Sequence, residues 1–460
     1  MRNSSPRAGG FAPEALSRVL FTDLGLPPTA HFHVAFSGGT DSTALLHALA
    51  SLPGERLRIT ALHADHGLAP DSGAWSEHCR SFCERLKVPI LVRALDVKTS
   101  PARGIEASAR HERYRWFAAV LGAGDVLVTA HHRDDQAETV LLRLLRGAGV
   151  RGLAGMPAVR LLGAGRLARP LLRFARAELL AYNAGLGLCW IEDPANRDTR
   201  FDRVYLRRVI VPGLRRRWPA ASQQFAQAAH HLHEASALLD ELAAQDLAEG
   251  QAGPVPWAPG YRVRAAPLER LTGPRQANAL RFLLRKLGFA APSTSCLERA
   301  LAALFPSRPR GPLRTYCEGL ELRRYDDWLE LAVPLPPVPA PGAWKWQAFP
   351  EPLAIPELGI ALHAEVGDDA SMAFRTPAEA ITVRLRCGGE RFLLPGRAHH
   401  RTLKNLLNEA RVPPWHRARL PVLYAGDDIA AVPGVCVAVP FACAPGERGW
   451  RVQITQITVS

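Results

Sequence analysis

The chain has 460 residues, more than the roughly 250–300 at which a single hydrophobic core stops growing, so two or three domains are expected. A hydrophobic share of 47% and a charged share of 22% exclude a disordered or fibrous chain. Fifty-seven basic against 43 acidic residues give a net charge of +14, which favours a polyanionic partner such as nucleic acid. Only five of the basic residues are lysines, and the arginine fork of the rest suits phosphate better than an ammonium does.

No uncharged stretch is long enough to span a membrane: the candidate at 429–445 is broken by Pro433, Gly434 and Pro440. The first thirty residues carry Arg2 and Arg7 but no apolar core or cleavage signal, so a cytoplasmic protein with an N-terminal extension over 1–30 is expected. Eight scattered cysteines without a C-x-x-C pair argue against a disulfide scaffold, and Cys79 and Cys83 are read as core thiols.

From residue 31, short apolar runs alternate with amphipathic stretches. Strands are expected at 31–36, 57–64, 88–95 and 125–130, with helices at 40–50, 72–86 and 105–121 between them. This order predicts an α/β fold with a doubly wound parallel sheet, whose ligands bind at the carboxyl ends of the strands. In 129–157, Ala137, Val140, Leu141, Leu144 and Leu145 repeat at helical spacing and mark a buried helix face. The segment 197–217 then holds eight arginines against two aspartates. After it a mainly helical domain is expected over 218–330, a Pro-rich linker over 331–360 and a small β-rich module over 361–460 with a helix near 403–410.

The chemistry concentrates between the first strand and the first helix, where VAFSGGTDSTALL places Ser37, Gly38, Gly39, Thr40, Asp41 and Ser42. Glycines permit close backbone approach, and the amides that open a helix favour an anion, so the segment reads as a phosphate cradle with Asp41 able to hold Mg2+. It is neither a G-x-x-x-x-G-K-[ST] nor a G-x-G-x-x-G loop, and a capped helix after a glycine turn is the competing reading. His131, His132, Asp134 and Asp135 fall at the mouth where a later strand becomes a helix. Such a cluster can bind Mg2+ or take a proton from an attacking amine, against N-capping as the plain alternative. Arg110 and Arg113 share a helix face and could stabilise charge on a phosphate, or form a solvated face paired with Glu106 and Glu112.

S-G-G-x-D-S after the first strand resembles the PP-loop of N-type ATP pyrophosphatases, which cut ATP between its α- and β-phosphates. LHADHGLAPDS (62–72), EASARHERYRWF (106–117), TAHHRDDQAETVLLRLLRGAGVRGLAGMP (129–157), RPLLRFARAEL (169–179) and WIEDPANRDTRFDRVYLRRVIVP (190–212) are similar to the successive signatures of the tRNA(Ile)-lysidine synthetase family, as are VRLRCGGERF (383–392) and the stretch 403–434. Val204 departs from the asparagine often found there. The resemblance implies a PP-loop catalytic domain over 31–217 and ATP-dependent ligation of free L-lysine to the cytidine at the first anticodon position of an isoleucine tRNA with a CAU anticodon. It also implies an adenylated cytidine and release of pyrophosphate and AMP. The expected ATP-binding residues are Ser37, Gly38, Gly39, Thr40, Asp41 and Ser42. The expected catalytic residues are Asp41, Arg110, His131, Asp134, Asp135 and Glu138, with Mg2+ on Asp41 and Asp135. The expected tRNA contacts are Arg197, Arg200, Arg203, Arg207, Arg208, Arg215, Arg216, Arg217, Arg391, Lys404 and Arg417, with Trp415 as a stacking candidate. A PP-loop tRNA thiolase, which needs reactive cysteines, and a non-catalytic tRNA-binding protein are the alternatives.

Overall fold

The computed structural model describes residues 10–457 except 53–56, 66, 68–71, 97–104, 193–197, 251, 256–259, 307–310, 335–336, 341, 368–371, 376, 378 and 445. The chain divides into two units, Met1–Ala237 and Leu238–Ser460.

In the first unit a short helix, α1 (Pro13–Ser17), runs into a wide turn at Arg18–Asp23. The alternation foreseen from sequence follows: β1 (His31–Ala35), α2 (Thr40–Ala50), β2 (Arg58–Asp65), α3 (Ser72–Leu86), β3 (Ile90–Ala94), α4 (Ile105–Val120), β4 (Val126–Val128) and α5 (Arg133–Leu145). After a turn of helix, α6 (Val150–Leu153), come β5 (Val159–Leu162), β6 (Gly165–Ala168), α7 (Arg176–Gly185), α8 (Asp202–Tyr205) and α9 (Val211–Arg217), the last two joined by a wide helical turn at Leu206–Ile210. The sheet order is β3-β2-β1-β4-β6-β5, parallel except for the β5–β6 hairpin at its edge.

Both faces of this sheet are covered, as a parallel sheet requires. Phe32, Val34 and Phe36 meet Leu45, Leu46 and Leu49 of α2 and Phe82 of α3 on one side. Leu62, Leu127 and Leu167 meet Trp116 and Phe117 of α4 on the other. The stretch set apart as an N-terminal extension belongs in part to the first of these cores: Phe11, Leu16, Val19, Leu20 and Leu26 are buried with Phe32. The alternating pattern starts at residue 31, so a helix that merely caps its flank gives no period of its own.

The helix α10 (Ala221–Ala248) carries the chain into the second unit. There β7 (Ala252–Pro254), β8 (Tyr261–Arg264), α11 (Ala265–Glu269), α12 (Gly273–Lys286), α13 (Thr294–Leu304), β9 (Leu313–Cys317), β10 (Leu320–Tyr325) and β11 (Trp328–Ala332) form an antiparallel sheet, ordered β7-β8-β11-β10-β9, under two helices. The helices were foreseen and the sheet was not. Its strands carry arginines and glutamates on the face away from α12 and α13, which hides the usual alternation. Buried Glu321, Arg323 and Glu330 on that face are met by Trp415 and His416 of the C-terminal module.

The module itself is β-rich as expected. It contains β12 (Ala343–Trp346), β13 (Leu353–Ile355), β14 (Ile360–Gly367), β15 (Ile381–Leu385), β16 (Arg391–Phe392), β17 (Arg401–Thr402), α14 (Leu403–Glu409), α15 (Pro414–Arg417), β18 (Pro421–Ala425), β19 (Asp428–Val432), β20 (Cys436–Val437) and β21 (Gly449–Gln456). The stretch expected as a linker contributes β12 and β13 to it, with Trp346, Ile355 and Leu358 buried. Pro352 and Pro356 flank β13, where no ladder donor is lost. No helix among the described residues is long and apolar enough to cross a membrane.

Leu16 is fully buried, so Leu16→Ala should cost about 2–5 kcal/mol in chemical denaturation of the first unit. A change below about 0.5 kcal/mol would show that the N-terminal helix is not part of the core.

Candidate active site

β1 has β2 on one side and β4 on the other, so the strand order reverses between β1 and β4, and the crevice at their carboxyl ends is where an open α/β sheet binds ligands. The loop after β1 and the loop after β4 both open there. In the first, Gly38 has φ +77°, and a Cβ would stand 2.8 Å from Ile191 Cδ1 and 2.9 Å from Cys79 Sγ, so glycine is required. Ser42 Oγ donates to Gly39 O (3.0 Å) and lies 3.1 Å from Ser37 Oγ, closing the loop upon itself. Thr43 Oγ1 donates to Gly38 O. Gly39 precedes α2 with no side-chain cap, which leaves the first amides of an eleven-residue helix available to an anion. Two later segments hold this loop: Ile191 N donates to Gly38 O (2.8 Å), and Asn183 Nδ2, from α7, donates to Thr40 O (2.9 Å). Within the motifs at 62–72 and 190–212, residues 66, 68–71 and 193–197, hence Arg197, lie outside the described residues.

In the second loop the N-cap of α5 is His132 rather than an aspartate. Its Nδ1 accepts from the Asp135 amide (3.3 Å) while Asp135 Oδ2 accepts from the His132 amide (3.0 Å). Accepting through Nδ1 leaves the ring proton on Nε2, an assignment made from the hydrogen bonds. Nε2 stands 3.5 Å from Asp41 Oδ2 and 3.4 Å from Asp135 Oδ2. Asp41, His132 and Asp135 therefore converge from the two loops. Asp41 Oδ1 and His132 Nε2 are buried and make no hydrogen bond within the protein. An acceptor and a donor left unmet at the mouth of a phosphate-type loop are what a ligand or cation would satisfy.

The acids of α5 are bound by the arginine-rich segment. Arg207 Nε donates to Glu138 Oε1 (2.7 Å) and its Nη2 to Asp135 Oδ1 (2.8 Å). Arg203 Nε donates to Glu138 Oε2 (3.1 Å) and its Nη2 reaches Asp135 Oδ1 (3.4 Å). Arg215 pairs with Asp134, whose other oxygen accepts from the Arg176 amide (2.9 Å) at the start of α7. Thus Arg203 and Arg207, expected among the tRNA contacts, turn inward, because buried carboxylates demand charged partners, while Arg215 pairs with Asp134 from an exposed position. Arg200 pairs with Asp198, and Arg417 is engaged with Val412 O and Tyr325. Arg208, Arg216, Arg217, Arg391 and Lys404 remain exposed. Trp415 is only half-buried, but its Nε1 donates to Glu330 (2.9 Å) and its ring meets Tyr325 edge-on.

His131 hydrogen-bonds Thr129 Oγ1 (2.8 Å). Burial pushes its imidazole down to about 3, against the pull of Asp135 and with that of Arg169 and Arg110. Asp135 is held at about 2: burial works to raise it, but His132, Arg203, His131 and Arg207 outweigh that. Both shifts favour the unprotonated form of these two groups in the free protein. Arg110 is exposed and lies over the Tyr114 ring at 5.0 Å, joined there by Arg160 at 5.6 Å and Arg113 at 6.0 Å. Glu112 pairs with Arg115 instead. Buried Arg169, the first residue of the RPLLRF motif, was missed as a candidate; it donates to Pro157 O, and its Nε is unmet. Arg176 was missed too, though it stands 3.8 Å from Asp41 Oδ1.

Residues 17–214 match the PP-loop domain family, 264–330 the TilS substrate binding domain and 381–454 the TilS substrate C-terminal domain. The chain is 42% identical over 440 residues to the tRNA(Ile)-lysidine synthase of Alkalilimnicola ehrlichii, covering 95% of this chain and 96% of that one. It is 44% identical over 431 residues to the Pseudomonas aeruginosa enzyme of the same name, covering 91% and 92%. The chain belongs to the tRNA(Ile)-lysidine synthase family. A solved TilS C-terminal domain is 26% identical, covering 25% of this chain and 99% of its own, with a TM-score of 0.21. In this family member burial pushes the Cys79 and Cys83 thiols up to about 12 beneath the PP-loop, which removes the reactive pair a sulfur-transfer reading would need.

Glu138 is almost fully buried, so Arg207→Met should destabilise by the lower end of roughly 3–5 kcal/mol, since Arg203 still reaches Oε2. Adding Glu138→Met should recover most of that loss in urea denaturation; additive losses would disprove the coupling. The depressed His131 makes a second prediction. An unfolded imidazole takes its proton near 6.5 and the folded one near 3, so the unfolded state binds more protons throughout that window, and stability falls as pH drops below about 6.5. His131→Asn should flatten the decline in melting temperature between about pH 7 and about pH 5, and curves parallel to the parent's would refute this.

Proposed function

We propose that this chain ligates free L-lysine to the cytidine at the first anticodon position of an isoleucine tRNA with a CAU anticodon, consuming ATP. The observation that carries the reading is the convergence of Asp41 with His132 and Asp135 at the switch point, on a chain related over nearly its full length to enzymes of that name. ATP adenylates the carbonyl oxygen on C2 of the cytosine with release of pyrophosphate, and the lysine amine then attacks C2 and displaces AMP, which carries that oxygen away. Residues Ser37 to Ser42 hold the phosphates through the loop backbone, the two hydroxyls and the start of α2.

The donor set fits a hard cation. Asp41 offers an unmet buried carboxylate oxygen, and Asp135 is the second oxygen donor within reach of the same histidine. Asp41 and Asp135 would hold Mg2+ there, and the ion would supply positive charge against the phosphates. Arg110 and Arg169 supply positive charge beside His131 for the charge that develops on that phosphate. His131 and His132 orient groups by hydrogen bonding. Asp134, Asp135 and Glu138 attract the lysine ammonium, and the arginines that neutralise them keep the acids in place until substrate charge competes. Exposed Arg208, Arg216, Arg217, Arg391 and Lys404 contact tRNA phosphates, which position the tRNA without specifying it.

Incubation with ATP, Mg2+, labelled lysine and this tRNA, followed by nucleoside mass analysis, should show lysine at the first anticodon position only when ATP is present. Asp41→Asn should lower the rate by at least about 100-fold while tRNA affinity stays within about twofold. Pyrophosphate release without lysine incorporation would overturn the assignment of the nucleophile, and equal rates for Asp41→Asn would overturn the site.

A further inference from the structure

We propose that His31, His33 and Asp125 form a site for a borderline divalent transition-metal ion such as Zn2+, separate from the ATP crevice. His31 and His33 alternate along β1, so both point from one face of the sheet, and Asp125 directly precedes the neighbouring strand β4. One ligand atom from each of the three lies within 4.8 Å of the others, and His33 Nε2 is 3.2 Å from Asp125 Oδ2. Ligand atoms on a tetrahedral zinc stand about 3.3 Å apart, so small side-chain rotations close the site. The two imidazoles already face one another, with ring centroids 4.1 Å apart.

His33 is 4% exposed and turns its Nε2, not its buried Nδ1, toward Asp125. An outer layer of partners is in place: His31 Nε2 lies 2.8 Å from Thr60 Oγ1, and Asp125 Oδ2 also accepts from the Gly122 amide (2.9 Å). Two imidazoles and one carboxylate select zinc, cobalt or nickel over Mg2+, which prefers an octahedron of oxygens. His31 and Asp125 are partly exposed, which gives an ion entry and a water for the fourth position. The site lies at the amino ends of the strands and the PP-loop at the carboxyl end of β1, on the order of 13 Å along the strand from His33 to Ser37. The ion would tie β1 to β4, the two strands that flank the crevice.

The test uses the full chain without added histidines, stripped with a chelator and titrated with Co2+. We expect one equivalent to give a visible d–d absorption band that Zn2+ abolishes and millimolar Mg2+ does not. His31→Ala and Asp125→Asn should each weaken Co2+ binding at least about 10-fold with an unchanged far-ultraviolet circular dichroism spectrum, whereas His132→Gln should keep the band. No band, a band unaffected by both substitutions, or a band lost in His132→Gln and kept in His31→Ala would each overturn the site.

Discussion

Two carboxylates buried one helical turn apart, Asp135 and Glu138, set the arrangement around them. Each is at most 8% exposed, and an unpaired anion at such a depth would cost several kcal/mol. The demand is met from three directions. The His132 amide donates to one oxygen of Asp135, Arg207 bridges both acids, and Arg203 shares Oε2 of Glu138 with Arg207. The helix after β4 is thereby locked to the segment 202–217, far away in sequence. His132, fixed by the same cap, in turn brings its Nε2 to Asp41 of the PP-loop. Remove the acids and Arg203 and Arg207 have no reason to point into the crevice.

The same constraint sorts the arginine-rich segment into two populations. Arg203 and Arg207 are four residues apart on one helical face, and both reach Glu138. Arg215, on α9, reaches Asp134 and Ser222. Arg208, Arg216 and Arg217 stay on the outer side, open to solvent. A run of positive charge in sequence is therefore two things in the fold, an internal counterion set and an external phosphate surface. A net charge of +14 overstates what is available to a polyanion.

Much of the first unit was legible because its signals are local. The 2- and 3.6-residue periods of β1, α2, β2 and α5, and the glycines of the PP-loop, are dictated by burial and backbone sterics within a dozen residues. Non-local features were not legible. That Arg203 and Arg207 face acids more than sixty residues away depends on the tertiary path of 169–217, and arginine written beside arginine gives no hint of it. Cys79 was readable as a core thiol from its helical spacing, yet only the fold shows it seated under Gly38. The sheet of the second unit escaped because Glu321, Arg323 and Glu330 occupy a buried face where apolar residues are the normal signal; they form a mutually paired set that His416 completes. The Pro-rich stretch hid β12 and β13 for a related reason: composition over thirty residues masked two strands of three and four.

The electrostatics of the crevice also restrict the chemistry. A general base is most effective when its proton affinity lies near the working pH. His131, pushed to about 3, and Asp135, held at about 2, are both too weakly basic to store a proton at neutral pH. Their contribution is fixed charge and hydrogen bonding in a site that needs no reorganisation when an anionic nucleotide arrives. The arginines and histidines that keep Asp135 ionised also hold it in place, so the charge of the crevice is set by the fold before a nucleotide arrives.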